Sequence, residues 1–449
     1  MKAPTVPRDH FLRGNTLAFS REPLNFITEN QAKYGDIFAF KLGFQTAHAV
    51  CHPNMIEQIL IKDKQSFDKI YVGRKNYGVQ LTLGQGLIPN VGESWQRQRN
   101  LIQPIFQRSR LTGWSVMMTA AIERLLKRWK TELKPSMPID INREMKHLTL
   151  DIMFNTVFSH SFADAADKIR DLQPIAQRYA YESMGSLISL SPSWPTRRNR
   201  QFKQIMQTID NILYELIDNR KKNPTSDKDL LNLLLQALDE KPEGMNKQLL
   251  RDEIVTFLFA GHITTAEALT WTWYLLAQFP EIDRKMRAEI ATILKGRSPT
   301  FADLPHLSYT RQVFEEALRL YPTTPVISRK VMKDTRINGY DLAAGSLVFP
   351  SIYHVHRHPE FWDQPEQFMP ERFEVQNKQH RCAYIPFGAG SYTCIGRQFA
   401  LIEAQLILAR LAQKYAFHLV PDQNLEPEFV MALRPRHGLK MILEPVSSL

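Results

Sequence analysis

Cysteine is scarce in this chain: only Cys51, Cys382 and Cys394 occur in 449 residues. An odd, low count excludes a disulfide framework and points to a reducing compartment, read here as the cytoplasm. No run of about 18 uncharged apolar residues is present, which excludes the usual membrane-spanning helix. The first residues, MKAPTVPRDHFLRGN, are polar and proline-containing and lack the apolar centre of a secretory signal. Internal repeats and low-complexity linkers are missing. So are an arginine-rich tail and zinc-finger spacing, which leaves nucleic acid an unfavoured partner.

What is present reads as an ordinary globular chain, with 43% hydrophobic and 23% charged residues. Its formal net charge of +11 favours acidic partners or surfaces. The length allows several domains, but single α-rich enzymes also reach it, and one domain over residues 1–449 is expected. β-type alternation runs through DIFAFKLGFQTAHAVCHP. From about residue 93 to 294 the pattern is mostly helical, broken by the loops SLSPSWPTRRN and KKNPTSDKD. An apolar-periodic stretch at about 247–279 predicts a helix of roughly 50 Å. Strand-like pieces return in VISRKVMKDTRINGYDLAAGSLVFPSIY and in EFVMALRPRHGLKMILEP. The fold class expected is mainly α, with minor sheets drawn from both ends of the chain.

Against that background one stretch stands out: FGAGSYTCIG, residues 387–396, followed by the apolar run RQFALIEAQLILARLAQKY. Cys394 lies just before a helix predicted to start near Gly396. Helix N-terminal N–H groups and their partial positive charge favour a thiolate. Glycines at 388, 390 and 396 let the backbone approach something flat and bulky. A nucleophile, a redox centre, a metal ligand and a buried structural thiol all remain open. No base and no second cysteine is near in sequence, which disfavours the first two.

FGAGSYTCIG resembles the haem-binding loop of the cytochrome P-450 family, F-x-x-G-x-[R/H]-x-C-x-G. Phe387, Gly390, Cys394 and Gly396 match, and Tyr392 stands where the family carries a cation. Three further motifs follow the same resemblance. EEALRLYP places Glu316 and Arg319 on one helix face, and PERF supplies Arg372; together they resemble the family's structural charge triad. GESWQRQRN resembles the W-x-x-x-R helix, whose Trp95 and Arg99 would reach the haem propionates, as Arg329 in PVISRKV would. FLFAGHITTAEAL resembles the oxygen-activation segment, with Ala260, Gly261, Thr264 and Thr265 matching. The Thr264 hydroxyl is expected to bond the Ala260 carbonyl and open the helix locally. HVHRH would align His354, His356 and His358 for zinc if it formed a strand; the family reading makes it the lead-in to PERF.

The resemblance implies a mostly α fold with haem b between two long helices and Cys394 as the axial thiolate on iron. It implies a monooxygenase fed by a separate acidic ferredoxin or flavodoxin with its reductase, acting as a monomer. Family positions over the haem fall at 71–87 and at Phe257, Ala260, Val326, Ile327, Val430 and Met431, mostly apolar, which suits a lipid- or terpenoid-like substrate. Arg197 or Arg198 would be the anchor for any carboxylate. Two departures stand out. Tyr392 replaces a cation, and Ile263 replaces the acid beside Thr264. Glu267, one turn on, is the expected stand-in, making Thr264 and Glu267 the catalytic pair, with His262 turned away. Two alternatives are the same fold with altered chemistry (peroxide-driven oxidation, isomerisation or dehydration) and a non-catalytic haem sensor or carrier.

Overall fold

The long apolar stretch forms a central helix, Lys247–Gln278, in the computed structural model, which describes residues 1–71, 78–159, 163–184, 194–225, 229–240, 245–374 and 380–446. Its start is set by Asn246, whose side chain accepts from the Leu249 N–H at 2.8 Å. Its end is set by Pro280, which opens the next helix, Pro280–Leu294, and forces Phe279 out of the helical region. Leu250 to Phe259 and Ala266 to Trp273 are buried without interruption. Most of these side chains are apolar, as a helix enclosed on all sides requires, and each large apolar one contributes about 2–3 kcal/mol.

Helices pack around this axis. Ile141–Val157 makes the most extensive contact with it, and Arg397–Ala412, Ser308–Leu320 and Arg197–Lys222 also touch it. One large core cluster joins these helices, and two smaller clusters lie in the β portion. Among the described residues, the expected mostly helical stretch holds one strand. Pro138–Asp140 is a short strand that pairs with Lys440–Pro445, because the chain's end returns beside it.

The main sheet has five strands in the order Ile37–Leu42, Gln45–Val50, Leu347–Pro350, Arg329–Val331, Phe67–Lys69. Both ends of the chain thus build it. All neighbours are antiparallel except Gln45–Val50 against Leu347–Pro350. The last pairing sets Lys69 directly opposite Arg329, and residues opposite each other in a ladder share a face.

HVHRH is not a strand. Ile352–Val355 is a helical turn, so its three histidines diverge. His354 lies beside Thr28 and Ser351, and His356 accepts from the Ile385 N–H. His358 approaches Asp36 and His52. In His52 and His358 the Nδ1 atom accepts a backbone N–H, which leaves the proton on Nε2, facing Glu360 and Asp36. That arrangement is a hydrogen-bonded cluster rather than a set of metal lone pairs.

Candidate active site

The cysteine loop is shaped by backbone contacts. The Cys394 N–H donates to the Phe387 carbonyl at 2.9 Å, and the Thr393 N–H to the Gly390 carbonyl at 3.2 Å. Gly390 sits at φ +72°, and a Cβ there would lie 1.9 Å from the Leu60 carbonyl oxygen, so only glycine fits. The helix that follows runs Arg397–Ala412 from Gly396, as expected. Cys51 and Cys382 are buried, whereas Cys394 presents its thiol to open space deep within the body. Burial pushes that thiol up, while the Gly396 N–H and the guanidinium groups of Arg99 and Arg397 draw it back. Helix-end stabilisation is thus present but outweighed in the free protein.

A set of cations surrounds Tyr392. Its hydroxyl donates to Asp68 at 2.6 Å, and its ring meets Trp95 edge-on at 4.5 Å. Arg99 donates to the Thr393 carbonyl at 2.9 Å and Arg329 to the Ser328 carbonyl at 2.9 Å. Arg329 is 9% exposed, and burial pulls its guanidinium down to about 10. Lys69 is a member that motif reading did not find. Its ammonium donates to the Leu87, Ile88 and Asn90 carbonyls and lies 4.4 Å from the centre of the Tyr392 ring. Burial, then the charge of Arg329, lowers it to about 7. The only signal in sequence was a lysine inside a strand-like run, which looks like any edge cation. Trp95, Arg329, Asp68 and Tyr392 line a cavity of about 390 Å³.

Between Leu250 and Trp273 the central helix shows surface at only three residues: Ala260, Gly261 and Thr264. The Thr264 hydroxyl donates to the Ala260 carbonyl at 2.9 Å, as its spacing predicted. The predicted opening does not occur, because the helix is continuous and the hydroxyl adds a bond without breaking the ladder. Gly261 also admits a neighbour: a Cβ there would meet the Met153 methyl at 1.9 Å. His262 is buried with Nδ1 against its own helix's Leu258 carbonyl.

Glu267 does not turn to Thr264. The Asn142 amide donates to its Oε2 at 2.6 Å, and the Lys146 ammonium lies 2.8 Å from its Oε1. Both oxygens are engaged by the helix Ile141–Val157, and the stand-in acid expected at Glu267 is set aside for that packing role. A different carboxyl is buried against the central helix. Glu403, in the helix after Cys394, is fully buried beside the Thr265 hydroxyl, and burial holds it well above the usual carboxylate range. That burial favours its protonated form. Its place in the apolar run ALIEAQLIL was the overlooked sign.

Of the expected substrate positions, Val326, Ile327 and Met431 are partly exposed, and the Ile327 methyl lies 4.0 Å from a Cβ built on Gly388 of the cysteine loop. Met431 holds φ +66° at the turn between strands Pro427–Val430 and Ala432–Pro435. Phe257 and Val430 are buried; Phe257 stacks on Phe106, in a group that extends to Trp114 and Phe399. In the 71–87 stretch, residues 72–77 lie outside the described residues. Arg198 pairs with Glu182 and lies over Tyr179, so it is not a free anchor.

The charge triad is closed. Arg319 donates to both oxygens of Glu316 at 2.7 and 2.8 Å and to the carbonyls of His356, Pro365 and Gln367. Arg372 donates to Glu316 at 3.3 Å and to Gln364.

Comparison with known proteins agrees with this geometry. Residues 4–443 match the family described as Cytochrome P450. Cyclooctatin synthase of Streptomyces melanosporofaciens is 33% identical over 97% of this chain and 94% of its own length. Cyclooctat-9-en-7-ol 5-monooxygenase of the same organism is 34% identical over 94% and 91%. A cytokinin hydroxylase of Arabidopsis thaliana is 31% identical over 93% and 82%. With a thiol exposed at the head of one long helix, a threonine exposed midway along another and a match over nearly its whole length, the chain belongs to the cytochrome P450 family of oxygen-incorporating, haem-dependent oxidoreductases.

Proposed function

We propose that this chain inserts one oxygen atom of dioxygen into an apolar, lipid- or terpenoid-like substrate, as a single haem domain in the cytoplasm. The second oxygen atom leaves as water, and the balance requires two electrons and two protons. The observation that carries the reading is the presence of one exposed cysteine, Cys394, together with a partly exposed Ala260–Gly261–Thr264 face on a helix otherwise buried from Leu250 to Trp273. Partly exposed Val326, Ile327 and Met431 support the apolar substrate, and so do the terpenoid names of two relatives.

The residues present fit haem b. Its ring is flat and apolar, its iron takes a thiolate, and its edge carries two carboxylates. Cys394 would hold the iron. Lys69, Arg99 and Arg329, whose described bonds go to carbonyls and a glutamine, would hold the carboxylates with Trp95. Phe387, Gly390 and Gly396 shape the loop, and Tyr392, committed to Asp68, acts by holding that wall in place. When bound, the group supplies dioxygen binding and its reductive cleavage. The protein supplies the rest. Thr264 keeps its hydroxyl proton on the Ala260 carbonyl and offers its oxygen as an acceptor. Glu403 lies next to Thr265, where burial favours its protonated form. The net charge of +11, with Arg108 and Arg397 exposed, suits an acidic ferredoxin or flavodoxin as electron donor.

The test is spectroscopic. Reduced protein with carbon monoxide is expected to show the long-wavelength band of thiolate ligation. Cys394→Ala and Cys394→His should abolish it, while Cys51→Ala and Cys382→Ala keep it. Survival of the band without Cys394 would sink the assignment. Apolar compounds that occupy the site should shift the haem absorption band.

A second reading, oxidation driven by hydrogen peroxide, is favoured by one observation. Ile263 is apolar and Glu267 is occupied, so no acid accompanies Thr264 on its own helix turn. Turnover with hydrogen peroxide and no reductase would select it.

A further inference from the structure

Two tight turns adjoin at one edge of the main sheet. In residues 10–14, His10 and Gly14 exchange both backbone hydrogen bonds, at 3.2 and 2.8 Å. The His10 ring accepts from the Leu12 and Arg13 N–H groups at 3.1 and 3.3 Å, so the turn is braced by its own residues. The neighbouring turn joins strands Ile37–Leu42 and Gln45–Val50. Gly43 donates to the Arg13 carbonyl at 3.1 Å, and Gly14 bridges to Leu42. A Cβ on Gly14 would lie 2.4 Å from the Lys41 carbonyl oxygen, so the two turns touch through backbone.

Large apolar side chains crown this pair. Phe11 is 78% exposed, Leu12 51% and Phe44 73%. Leu17, on the short helix Thr16–Arg21 that follows, is also exposed. Side chains this open cover nothing of their own chain, and clustered exposure of this kind marks an interaction site. Arg8, Arg13 and Arg21 are exposed around them, with no carboxylate partner among the described residues. Asp9 and Glu22 are the nearby acids in sequence, and Glu22 is engaged by Asn25 and lies 3.9 Å from Arg436.

We propose that this double turn docks the protein on an anionic lipid bilayer, with Phe11, Leu12 and Phe44 entering the interfacial layer and Arg8, Arg13 and Arg21 meeting headgroup charge. A stable protein partner needs about 800 Å² on each side. Three side chains on two narrow tips provide well under that, since a large aromatic buries roughly 200 Å². A lipid interface accepts apolar tips without matched shape and rewards adjacent cations. The chain's charge of +11 has the right sign. No helix among the described residues is long and apolar enough to cross a membrane, so the attachment is peripheral. The proposal does not depend on the identity of the substrate.

The haem-loaded full chain should sediment with vesicles of phosphatidylcholine plus phosphatidylglycerol, weakly with phosphatidylcholine alone, and less as salt is raised. The triple variant Phe11→Ser, Leu12→Ser, Phe44→Ser should weaken that binding by about tenfold or more with its haem spectrum unchanged. Replacing Arg8, Arg13 and Arg21 by Gln should make the two vesicle types equivalent. A Phe11→Trp variant should shift its emission to shorter wavelength on the mixed vesicles. The proposal is overturned if the parent binds neither vesicle, if the triple variant binds as the parent does, or if the Phe11→Trp emission is unmoved while the protein is bound. A concentration-dependent dimer broken by the triple variant, without vesicle binding, would equally overturn it and give the face to a second copy.

Discussion

Two groups of buried cations in this protein differ in what answers them. Around Arg319, every guanidinium N–H is used, and a carboxylate supplies the opposing charge at 2.7 Å. Around Tyr392, Arg329 and Lys69 are also buried, yet their described hydrogen bonds go to carbonyl dipoles. Of the carboxylates described near them, Asp68 takes the Tyr392 hydroxyl and Glu253 takes the Leu87 N–H. Buried charge is tolerated when it is paired. The closed group is complete without a ligand and holds the fold. The open group would be stabilised by an anion from outside, a role the proposed haem site gives to the two haem carboxylates.

The largest effect should come from breaking the closed group. Arg319→Ala strands Glu316 without its main partner and is expected to cost roughly 3–5 kcal/mol, read as a lowered denaturant midpoint. Arg329→Ala should do the reverse in the haem-free chain, leaving stability unchanged or raised, while haem affinity falls by about 10-fold or more. If both variants lose stability alike, the distinction between the groups fails.

Next in size is a pH effect. Lys69 titrates near 7 in the folded chain and near 10.4 when unfolded. Between those values the unfolded chain binds the extra proton, so stability rises with pH, by at most about 1.4 kcal/mol per unit. Lys69→Met should flatten that rise in haem-free protein. Haem, by pairing the ammonium, should flatten it as well. A slope indifferent to both changes would remove Lys69 from the anion site.

The smallest expected change is Tyr392→Phe, which releases Asp68 to face Lys69 and Arg329. About 1 kcal/mol of stability should be lost with one hydrogen bond, and haem affinity should drop because Asp68 now competes for the same cations. Unaltered affinity would mean that Asp68 stays where it is without the phenol.

Local features were legible because they repeat or cluster along the chain. The apolar pattern that predicts a helix at Lys247–Gln278, and the three-residue step from Glu316 to Arg319, need only neighbours in sequence. The cysteine loop was legible for the same reason: its glycines and thiol lie within ten residues, 387–396. Glu267 shows where such reading stops. Its helix and face followed from spacing, but nothing local says that Lys146 and Asn142 of another helix arrive to take both oxygens. HVHRH shows the same limit: its alternation would align three histidines on a strand, but tertiary packing makes it a helical turn.

By itself, then, the order of residues determined a mainly α chain, the thiol at the head of a helix, the threonine aimed at the Ala260 carbonyl and the absence of an acid at Ile263. Only the tertiary structure decided which charges were answered. Lys69 meets Arg329 across a ladder whose strands come from opposite ends of the chain, and the Glu403 carboxyl is pushed up because helices close around it. Side-chain type and local period are written in sequence, whereas desolvation and partnering depend on what distant segments bring into contact.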